Sequence, residues 1–273
     1  MTAPVLGVVG TGLIGASIGL RARATGWHVL GYDVSEAAVA EASACETIDA
    51  GVTRAELYAR SDVVVLAPYL QATLSELEAL REAPPARARL ILDVASVKVP
   101  VMTASRGLPG FVGTHPMAGG ERSGASAARA ALFEGRTWFY VPSHDTEMDG
   151  RAATFIAGFG ATPVAIDARE HDRRVALTSH LPQICATLFA QRVNASLPPG
   201  SADAACGPAA RELRRLGRSP YAIWGEILRY NSANVEDEMR AFARALLEAA
   251  DALRAGDAAP LRAAFEDARG EQR

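Results

Sequence analysis

The 273-residue sequence predicts an α/β fold in which a mostly parallel β-sheet precedes an all-helical region. Short β-branched runs alternate with amphipathic stretches in the first half, a glycine-rich turn follows the first of those runs, and strand-like runs stop after about Ala168. Such alternation is typical of βαβ units around a parallel sheet. We therefore expect an α/β domain over 1–167 and an all-helical C-terminal domain over 168–273.

The elements of the first domain can be assigned in chain order from their apolar periodicity. Strands are predicted at Val5–Gly10, His28–Asp33, Asp62–Ala67, Leu90–Val94, Phe111–Gly113, Thr137–Val141 and Pro163–Ile166. Helices are predicted between the first of these strands, at Leu13–Thr25, Ser35–Ser43 and Leu70–Glu82.

Helical periodicity dominates the second domain. Helices are predicted at Arg169–Ala195, Ala204–Gly217, Tyr221–Tyr230, Ser232–Ala255 and Ala259–Arg269. In the fourth of these, a seam of apolar residues repeats at alternating spacings of four and three, comprising Val235, Met239, Phe242, Leu246, Ala249 and Leu253. A heptad-like seam buries against another helix, either within the chain or in a second subunit, and the sequence leaves both readings open.

Composition excludes several classes of protein. A net charge of -3 argues against a nucleic-acid binder, and the absence of an 18-residue apolar run argues against a membrane span. The three cysteines lack metal or redox spacing, so we expect reduced thiols, no metal site and a cytoplasmic protein. Of the 28 basic residues only Lys98 is a lysine, which makes that position worth examining.

The run Gly10–Gly15 has the pattern G-x-G-x-x-G directly after a strand and at the start of a helix. In that context it is typical of a Rossmann-type dinucleotide-binding domain, with the pyrophosphate at the helix N-terminus. Asp33 ends the next strand, where a carboxylate accepts hydrogen bonds from a ribose and repels a 2′-phosphate, so NAD is favoured over NADP. The predicted cofactor-binding residues are Gly10, Gly12, Leu13, Ile14, Gly15, Asp33, Ala67, Pro68 and Ser96.

Two polar segments leave neighbouring strands of the predicted sheet. Asp93–Lys98 follows one strand and Gly113–Glu121 the next, so Ser96 and His115 are expected to converge at the carboxyl edge, where ligands of open α/β sheets lie. Oxidation of an alcohol needs a base for the hydroxyl proton, and the pKa of histidine suits that role. His115 is therefore the predicted general base, the alternative being a structural or capping histidine.

The remaining histidines fall into two groups. His28, His144 and His171 lie beside a strand start, in a loop and among charges, and we interpret them as solvated or structural. His180 precedes Pro182 in an otherwise helical pattern, and a proline kinks a helix and redirects the side chains before it. We expect His180 to face a ligand, the alternative being a simple helix boundary.

The segment Gly207–Arg215 places Arg211 and Arg215 one helical turn apart, on one face. Guanidinium groups bind carboxylates through two parallel hydrogen bonds. The pair therefore predicts a carboxylate clamp, and a solvated basic face is the equally open alternative.

Taken together, these motifs resemble the prephenate dehydrogenase family, which includes arogenate and cyclohexadienyl dehydrogenases. The resemblance runs from Gly10 to about Asn231 and is carried, in order, by Gly10–Gly15, His115–Gly124, Leu132–Gly135, Ser179–Pro182, Gly207–Arg215 and Trp224. It implies oxidative decarboxylation of a cyclohexadienyl acid on the route to tyrosine. Hydride would pass to NAD, and loss of the ring carboxylate as CO2 would make the ring aromatic.

The resemblance also implies roles for individual residues. His115 would accept the hydroxyl proton, and Ser96 would hydrogen-bond the same hydroxyl. The predicted substrate-binding residues are Arg215, which would hold a carboxylate, together with Arg211, His180, Glu121, Trp224 and Lys98. The family is typically dimeric through its helical domain, which favours the seam as a subunit interface.

Four positions depart from the family pattern, namely Ala95, Gln183, Ala210 and Arg214. All of them lie in substrate segments, so they affect the choice of acid more than the reaction. The leading hypothesis is a prephenate dehydrogenase that forms 4-hydroxyphenylpyruvate. The alternatives are a dehydrogenase for arogenate or an amino-substituted prephenate, a generic β-hydroxyacid or imine dehydrogenase, and a non-catalytic NAD-binding sensor.

Overall fold

The computed structural model describes residues 3–120, 122–143, 145–198 and 200–270. Its first sheet contains six parallel strands in the order β3-β2-β1-β4-β5-β6. These strands are β1 (Val5–Val9), β2 (His28–Tyr32), β3 (Ala50–Gly51), β4 (Val63–Leu66), β5 (Leu90–Asp93) and β6 (Phe111–Val112). The chain runs outward from β1 in one direction and from β4 in the other, so a crevice opens between the carboxyl ends of β1 and β4.

Helices cover both faces of this sheet, as right-handed crossovers between parallel strands require. They are α1 (Leu13–Ala24), α2 (Glu36–Ala44), α3 (Arg54–Arg60), α4 (Leu70–Glu82), α5 (Val99–Ala104) and α6 (Thr146–Gly158). Local sequence sets their starts: Ser35 caps α2, and Thr53 and Glu56 form a capping box at α3. The sequence patterns do not predict α3, α5, α6 or the short strand β3.

A second, three-stranded sheet follows and contains a strand that the sequence analysis did not predict. Its strands are β7 (Thr114–Pro116), β8 (Thr137–Tyr140) and β9 (Thr162–Ala165), with β7 antiparallel to β8 and β8 parallel to β9. His115 therefore lies within a strand, paired with Phe139, and not in the loop expected after β6. Strand geometry fixes its backbone more firmly than a loop would.

The core lies on both faces of the first sheet. On one face Phe133, Trp138 and Phe159 stack together beneath α1 and α6. On the other face leucines of α4 pack with Ile227 from the second domain. The helical region is thereby joined to the α/β domain through shared apolar packing.

The second domain is helical, as predicted. It contains α7 (Ala168–Val175), a π turn (Ala176–His180), α8 (Leu181–Ser196), α9 (Ala202–Ala205), α10 (Pro208–Leu216), α11 (Tyr221–Tyr230), α12 (Ser232–Ala255) and α13 (Ala259–Gly270). The helical pattern predicted over 169–195 is confirmed, and a π turn lies just before Pro182, where the sequence predicted that the helix is disturbed. Proline has no N–H to donate to the preceding turn, and the wider turn accommodates that loss.

The apolar seam of α12 separates into a buried end and an exposed end. Val235 is buried, but Met239, Phe242, Leu246 and Leu253 are 37%, 44%, 57% and 67% exposed. An intrachain core helix would bury these side chains, so that reading is wrong for most of the seam. Within one chain, α12 presents an apolar face to the outside.

Two further predictions concern compartment. Cys45, Cys185 and Cys206 are all free thiols, as expected for reduced cysteines. Within the described part of the chain, no helix combines the length and the apolar character needed to cross a bilayer. The cytoplasmic setting stays a prediction.

Candidate active site

The glycine loop lies at the carboxyl end of β1 and has the geometry that a dinucleotide requires. Gly10 adopts φ +88°, and a Cβ there would lie 2.6 Å from the carbonyl carbon of Ala67 and from the nitrogen of Pro68. A Cβ on Gly15 would lie 2.0 Å from the carbonyl oxygen of Gly10, so the third glycine permits close packing of α1 on β1. A Cβ on Gly12 would meet no atom within 4 Å, so the backbone there is open to an approaching pyrophosphate.

Asp33 is fixed beside this loop. One of its carboxylate oxygens accepts a hydrogen bond from the backbone N–H of Thr11 at 2.9 Å, and the other accepts from Ser35 N–H at 3.0 Å. The carboxylate therefore has a defined position next to the open backbone of Gly12. Together, the loop and Asp33 fit a dinucleotide with an unmodified ribose.

A buried ion pair follows β5. The Lys98 ammonium is fully buried and donates hydrogen bonds to the Asp93 carboxylate and, at 2.6 Å, to the carbonyl oxygen of Thr114. Asp93 also accepts from the backbone N–H groups of Ala95 and Thr114, at 2.9 and 2.8 Å. This cluster ties the segment that carries Ser96 to the strand that carries His115.

The prediction that Lys98 binds the substrate is therefore corrected. Its ammonium lies beneath the site, with no surface exposed, and its hydrogen bonds go to Asp93 and Thr114. Burial lowers the pKa of Lys98, and the Asp93 carboxylate opposes that shift. Lys98 supports the backbone on which the site is built.

His115 is buried, with 8% of its surface exposed, and contacts a second histidine. Its Nδ1 lies 2.9 Å from Nε2 of His171, whose Nδ1 lies 2.8 Å from a carboxylate oxygen of Asp172. Burial, and then the neighbouring His171 and Lys98, hold the pKa of His115 well below its usual value. His115 is therefore neutral near pH 7, as a general base must be.

His171 is not solvated, although it lies in a highly charged stretch of sequence. It is fully buried, and its ring meets that of Phe139 edge-on, with 5.6 Å between the centroids. Of the two readings given to it, solvated or structural, the first is wrong. His28 is partly exposed beside Asp49, as expected, and His144 lies outside the described residues.

A third buried histidine lies at the end of the π turn. Asn231 Nδ2 donates to the carbonyl oxygen of Asp172 at 2.7 Å and lies 3.3 Å from His180 Nδ1, which leaves the imidazole proton on Nε2. That Nε2 is buried and has no hydrogen-bond partner among the described residues. Burial lowers the pKa of His180 to about 4, so a neutral Nε2–H is available to a ligand acceptor.

An open cavity of about 1090 Å³ separates the two domains. It is lined on one side by Leu13 of the glycine loop and on the other by Gln183, Arg215 and Trp224. The Trp224 ring meets His180 edge-on, with 5.9 Å between the centroids. Trp224 thus connects the cavity wall to His180, whereas His115, His180 and Ser96 are not themselves part of the described lining.

The structure places the predicted substrate residues unequally. Arg215 and Trp224 line the cavity, whereas Arg211 is exposed on α10, outside the lining, and donates to the carbonyl oxygen of Asp203 at 3.3 Å. The structure thus does not bring Arg211 into the predicted clamp, because its side chain is directed at α9. Ser96 is half-buried in the loop after β5, and Glu121 lies outside the described residues.

Several residues at the site were not predicted. Arg122, Arg129 and Arg218 line the cavity beside Arg215, and His171, Asp172 and Asn231 form the buried network. The one sequence signal for the network was the adjacency of His171 and Asp172 one turn before the buried Val175. It could not be told from a solvated charge run.

The fold and the glycine loop define a two-domain, dinucleotide-binding dehydrogenase. Comparison with known protein families identifies which family of dehydrogenases this is. Residues 17–162 match the family described as prephenate dehydrogenase, nucleotide-binding domain, and residues 167–267 match the family described as prephenate dehydrogenase, dimerization domain. The chain belongs to the prephenate dehydrogenase family. Membership confirms the predicted enzyme class, an NAD-dependent dehydrogenase.

Curated relatives and solved structures agree. A probable prephenate dehydrogenase, NovF of Streptomyces niveus, is 34% identical over 90% of this chain and 68% of its own length. The prephenate dehydrogenase of Bacillus subtilis is 31% identical over 84% of this chain, which spans 65% of that relative. The fold matches that of a prephenate dehydrogenase of A. aeolicus whose structure was solved with hydroxyphenyl propionate and NAD+. The TM-score is 0.88 and the sequence identity 21%, and the match covers 100% of this chain and 98% of the other.

An arogenate dehydrogenase of Synechocystis has the same fold, with a TM-score of 0.79 at 23% identity over 98% of both chains. At such identities the likeness concerns the fold. The substrate must therefore be argued from the cavity of this chain.

Proposed function

We propose that this chain is a prephenate dehydrogenase, which oxidises and decarboxylates prephenate to 4-hydroxyphenylpyruvate with NAD. The observation that supports the proposal is the cavity between the glycine loop and α10, which joins the predicted dinucleotide site to a surface lined by arginines. The glycine loop and Asp33 would hold NAD, which would supply the acceptor for the hydride of the ring carbon. The roles of the protein side chains follow from their positions.

Charge in the cavity favours prephenate over arogenate. The charged residues among its described lining are Arg122, Arg129, Arg215 and Arg218, all of them basic. Both acids carry two carboxylates, but the side chain of prephenate carries a neutral keto group where that of arogenate carries an ammonium, which these guanidinium groups would repel even though Arg215 is paired with Glu212. The lining therefore supports a dianionic acid as the substrate.

The chemistry falls to the groups beside the cavity. His115 accepts the substrate hydroxyl proton at Nε2, since Nδ1 is used by His171, and Ser96 orients the same hydroxyl. Arg215 holds a carboxylate, His180 donates its Nε2–H to a substrate oxygen, and Trp224 forms the apolar wall. These roles leave the developing negative charge matched by fixed donors.

Product identification tests the proposal. Incubation with NAD and prephenate should yield 4-hydroxyphenylpyruvate and CO2, with a higher kcat/KM than arogenate gives for tyrosine. A higher kcat/KM with arogenate would shift the assignment to that acid. Tight NAD binding without turnover of either acid would support a sensor and refute the dehydrogenase.

Replacing Arg215 by Ala should raise the KM for prephenate about 10- to 100-fold, because a charge-assisted hydrogen bond contributes about 1.5–3 kcal/mol. In the structure the Arg215 Nε donates to Glu212 at 2.8 Å, and a substrate carboxylate would exchange with that partner. Arg151→Ala is the matched control, since Arg151 pairs with Glu147 on α6, away from the cavity. Unchanged KM in R215A would contradict the clamp.

Replacing Asp33 by Ala should raise the KM for NAD and reduce the preference for NAD over NADP, because the carboxylate that repels a 2′-phosphate is removed. Steady-state kinetics with both cofactors measures the ratio. Glu36→Ala, which removes a nearby exposed carboxylate at the start of α2, controls for net charge. A wild type that already prefers NADP would overturn the assignment.

We infer that two copies of the chain associate through α12. The exposed residues Met239, Phe242, Leu246 and Leu253 form an apolar strip along that helix, within residues that match a dimerization domain. Light scattering should give twice the 28.7 kDa mass of one chain. Phe242→Asp should weaken the dimer, whereas Arg244→Asp, on the opposite face, should not; a monomeric wild type would contradict the inference.

A further inference from the structure

The hydrogen bonds around His171 determine which nitrogen of His115 carries a proton. An ionised carboxylate only accepts, so the Nδ1 of His171, 2.8 Å from Asp172, is the protonated nitrogen of that ring. The Nε2 of a neutral His171 is then an acceptor, and it lies 2.9 Å from His115 Nδ1. His115 must therefore carry its proton on Nδ1, which leaves the lone pair on Nε2.

Asp172 is held rigidly enough to act as the end of this chain. Its carboxylate accepts from the backbone N–H of Lys98 at 2.6 Å and of Val99 at 2.9 Å, at the start of α5. Asp172 and His171 are both buried, with side chains 2% and 0% exposed. Two backbone donors and one imidazole donor thus fix the carboxylate in a site without solvent.

The surroundings of His171 include few other polar groups. The charged groups near it are Asp172 on its own helix, Lys98 before α5 and Asp93 at the end of β5. The titratable His180 at the end of the π turn also interacts with it, and the rings of His115 on β7 and Phe139 on β8 lie at centroid distances of 5.1 and 5.6 Å. Burial lowers the pKa of His171, which the hydrogen bond to Asp172 opposes, so the ring is neutral near pH 7.

We propose that His171, oriented by Asp172, is a positioning residue that locks His115 in the tautomer with a free Nε2 and aims that nitrogen at the substrate hydroxyl. The proposal rests on the function proposed above. It assigns the orientation of the base to a His–Asp pair on α7, in the second domain. On this proposal the orientation of His115 depends on contact between the two domains, because β7 carries His115 and α7 carries His171.

The proton balance is simple. His115 Nε2 takes the hydroxyl proton as hydride leaves, and the resulting imidazolium keeps its Nδ1–H donated to His171. That hydrogen bond becomes charge-assisted and therefore stronger while the proton is held. Loss of CO2 then places an electron pair on the ring oxygen, and His115 Nε2 returns the proton to that oxygen, so the product leaves with its hydroxyl group and the neutral base is restored while His171 stays neutral.

Two substitutions at one position separate positioning from packing. His171→Leu removes the acceptor for His115 Nδ1–H, whereas His171→Gln can accept from His115 through its oxygen and donate to Asp172 through its nitrogen. We expect kcat with prephenate to fall about 10²-fold in H171L, at the lower end of the contribution of a general base, with the KM for NAD unchanged. H171Q should recover most of that loss.

Nitrogen NMR of histidine-labelled protein reads the tautomer directly, and the chain has only five histidines to assign. In the wild type, His115 should show a protonated Nδ1 and an unprotonated Nε2; in H171L the proton should distribute over both nitrogens. His28→Gln, at a partly exposed position on β2, is the control and should change neither readout.

The outcomes are distinct. A wild-type His115 protonated on Nε2 would overturn the proposal even if H171L failed to fold, and so would full kcat in H171L. Equal loss in H171L and H171Q with an unchanged tautomer would assign His171 to packing alone. A wild type with the expected tautomer but no activity on any cyclohexadienyl acid would instead refute the proposed function.

Discussion

His115→Asn is expected to lower kcat with prephenate about 10²- to 10⁴-fold, the usual contribution of a general base. The buried imidazole is the group that we propose takes the hydroxyl proton, and asparagine has no nitrogen that accepts one. NAD affinity should persist, because the glycine loop and Asp33 directly follow β1 and β2, whereas His115 lies on β7. Stopped-flow turnover and calorimetric NAD titration measure the two quantities.

The same variant separates the main alternatives. A non-catalytic NAD sensor would lose nothing when His115 is replaced, whereas a dehydrogenase loses turnover and keeps binding. His28→Asn is a matched control, since it makes the same change at a partly exposed histidine paired with Asp49. Loss of NAD binding in H115N would mean that the substitution disturbs the fold and not the chemistry alone.

The pH profile of the wild type should carry the signature of this base. Burial, with His171, Lys98 and His180 nearby, lowers the pKa of His115 well below 6.5. Protonation removes the base, so kcat/KM should stay constant as the pH falls to 6.5 and decline only at lower pH. An acid limb centred at or above pH 6.5 would contradict a buried, neutral His115.

Local sequence rules sufficed for part of this site. The fold class followed from alternating elements, and the glycine loop could be assigned from its G-x-G-x-x-G spacing between a strand and a helix. The close approach of Gly15 to the Gly10 carbonyl oxygen lies within that loop. The helices of the second domain followed from apolar periodicity. In each case the signal lies within about twenty residues of chain.

The rest of the site depends on contacts between distant segments. His171 lies between Glu170 and Arg173 in sequence, and only the docking of α7 against β7 and α5 buries it. Arg211 and Arg215 are equivalent by helical spacing, yet only Arg215 faces the cavity. The three residues of β7 are too few to show a strand period. Propensity and spacing do not contain this information.

The lone lysine of the sequence carries the second large prediction. Lys98→Met should lower the free energy of unfolding by about 3–5 kcal/mol, because removal of one partner leaves the buried Asp93 carboxylate without its counter-charge. Chemical denaturation measures the change. Arg87→Met is the control: Arg87 pairs with Asp62 at the surface, 3.0 Å away, and its loss should cost about 0–1 kcal/mol.

A second substitution distinguishes charge from packing at this pair. Asp93→Asn in the K98M background removes the uncompensated carboxylate and should restore part of the lost stability, which a simple packing defect would not allow.

Lys98→Arg should also destabilise the fold, since a planar guanidinium is larger than the fully enclosed ammonium and needs a different set of acceptors. Because Lys98 also binds the carbonyl oxygen of Thr114, beside His115, each variant that folds should show a lower kcat with an unchanged KM for NAD. A K98M protein as stable and active as the wild type would mean that the buried carboxylate does not require a lysine. The single lysine of this arginine-rich sequence would then be a coincidence.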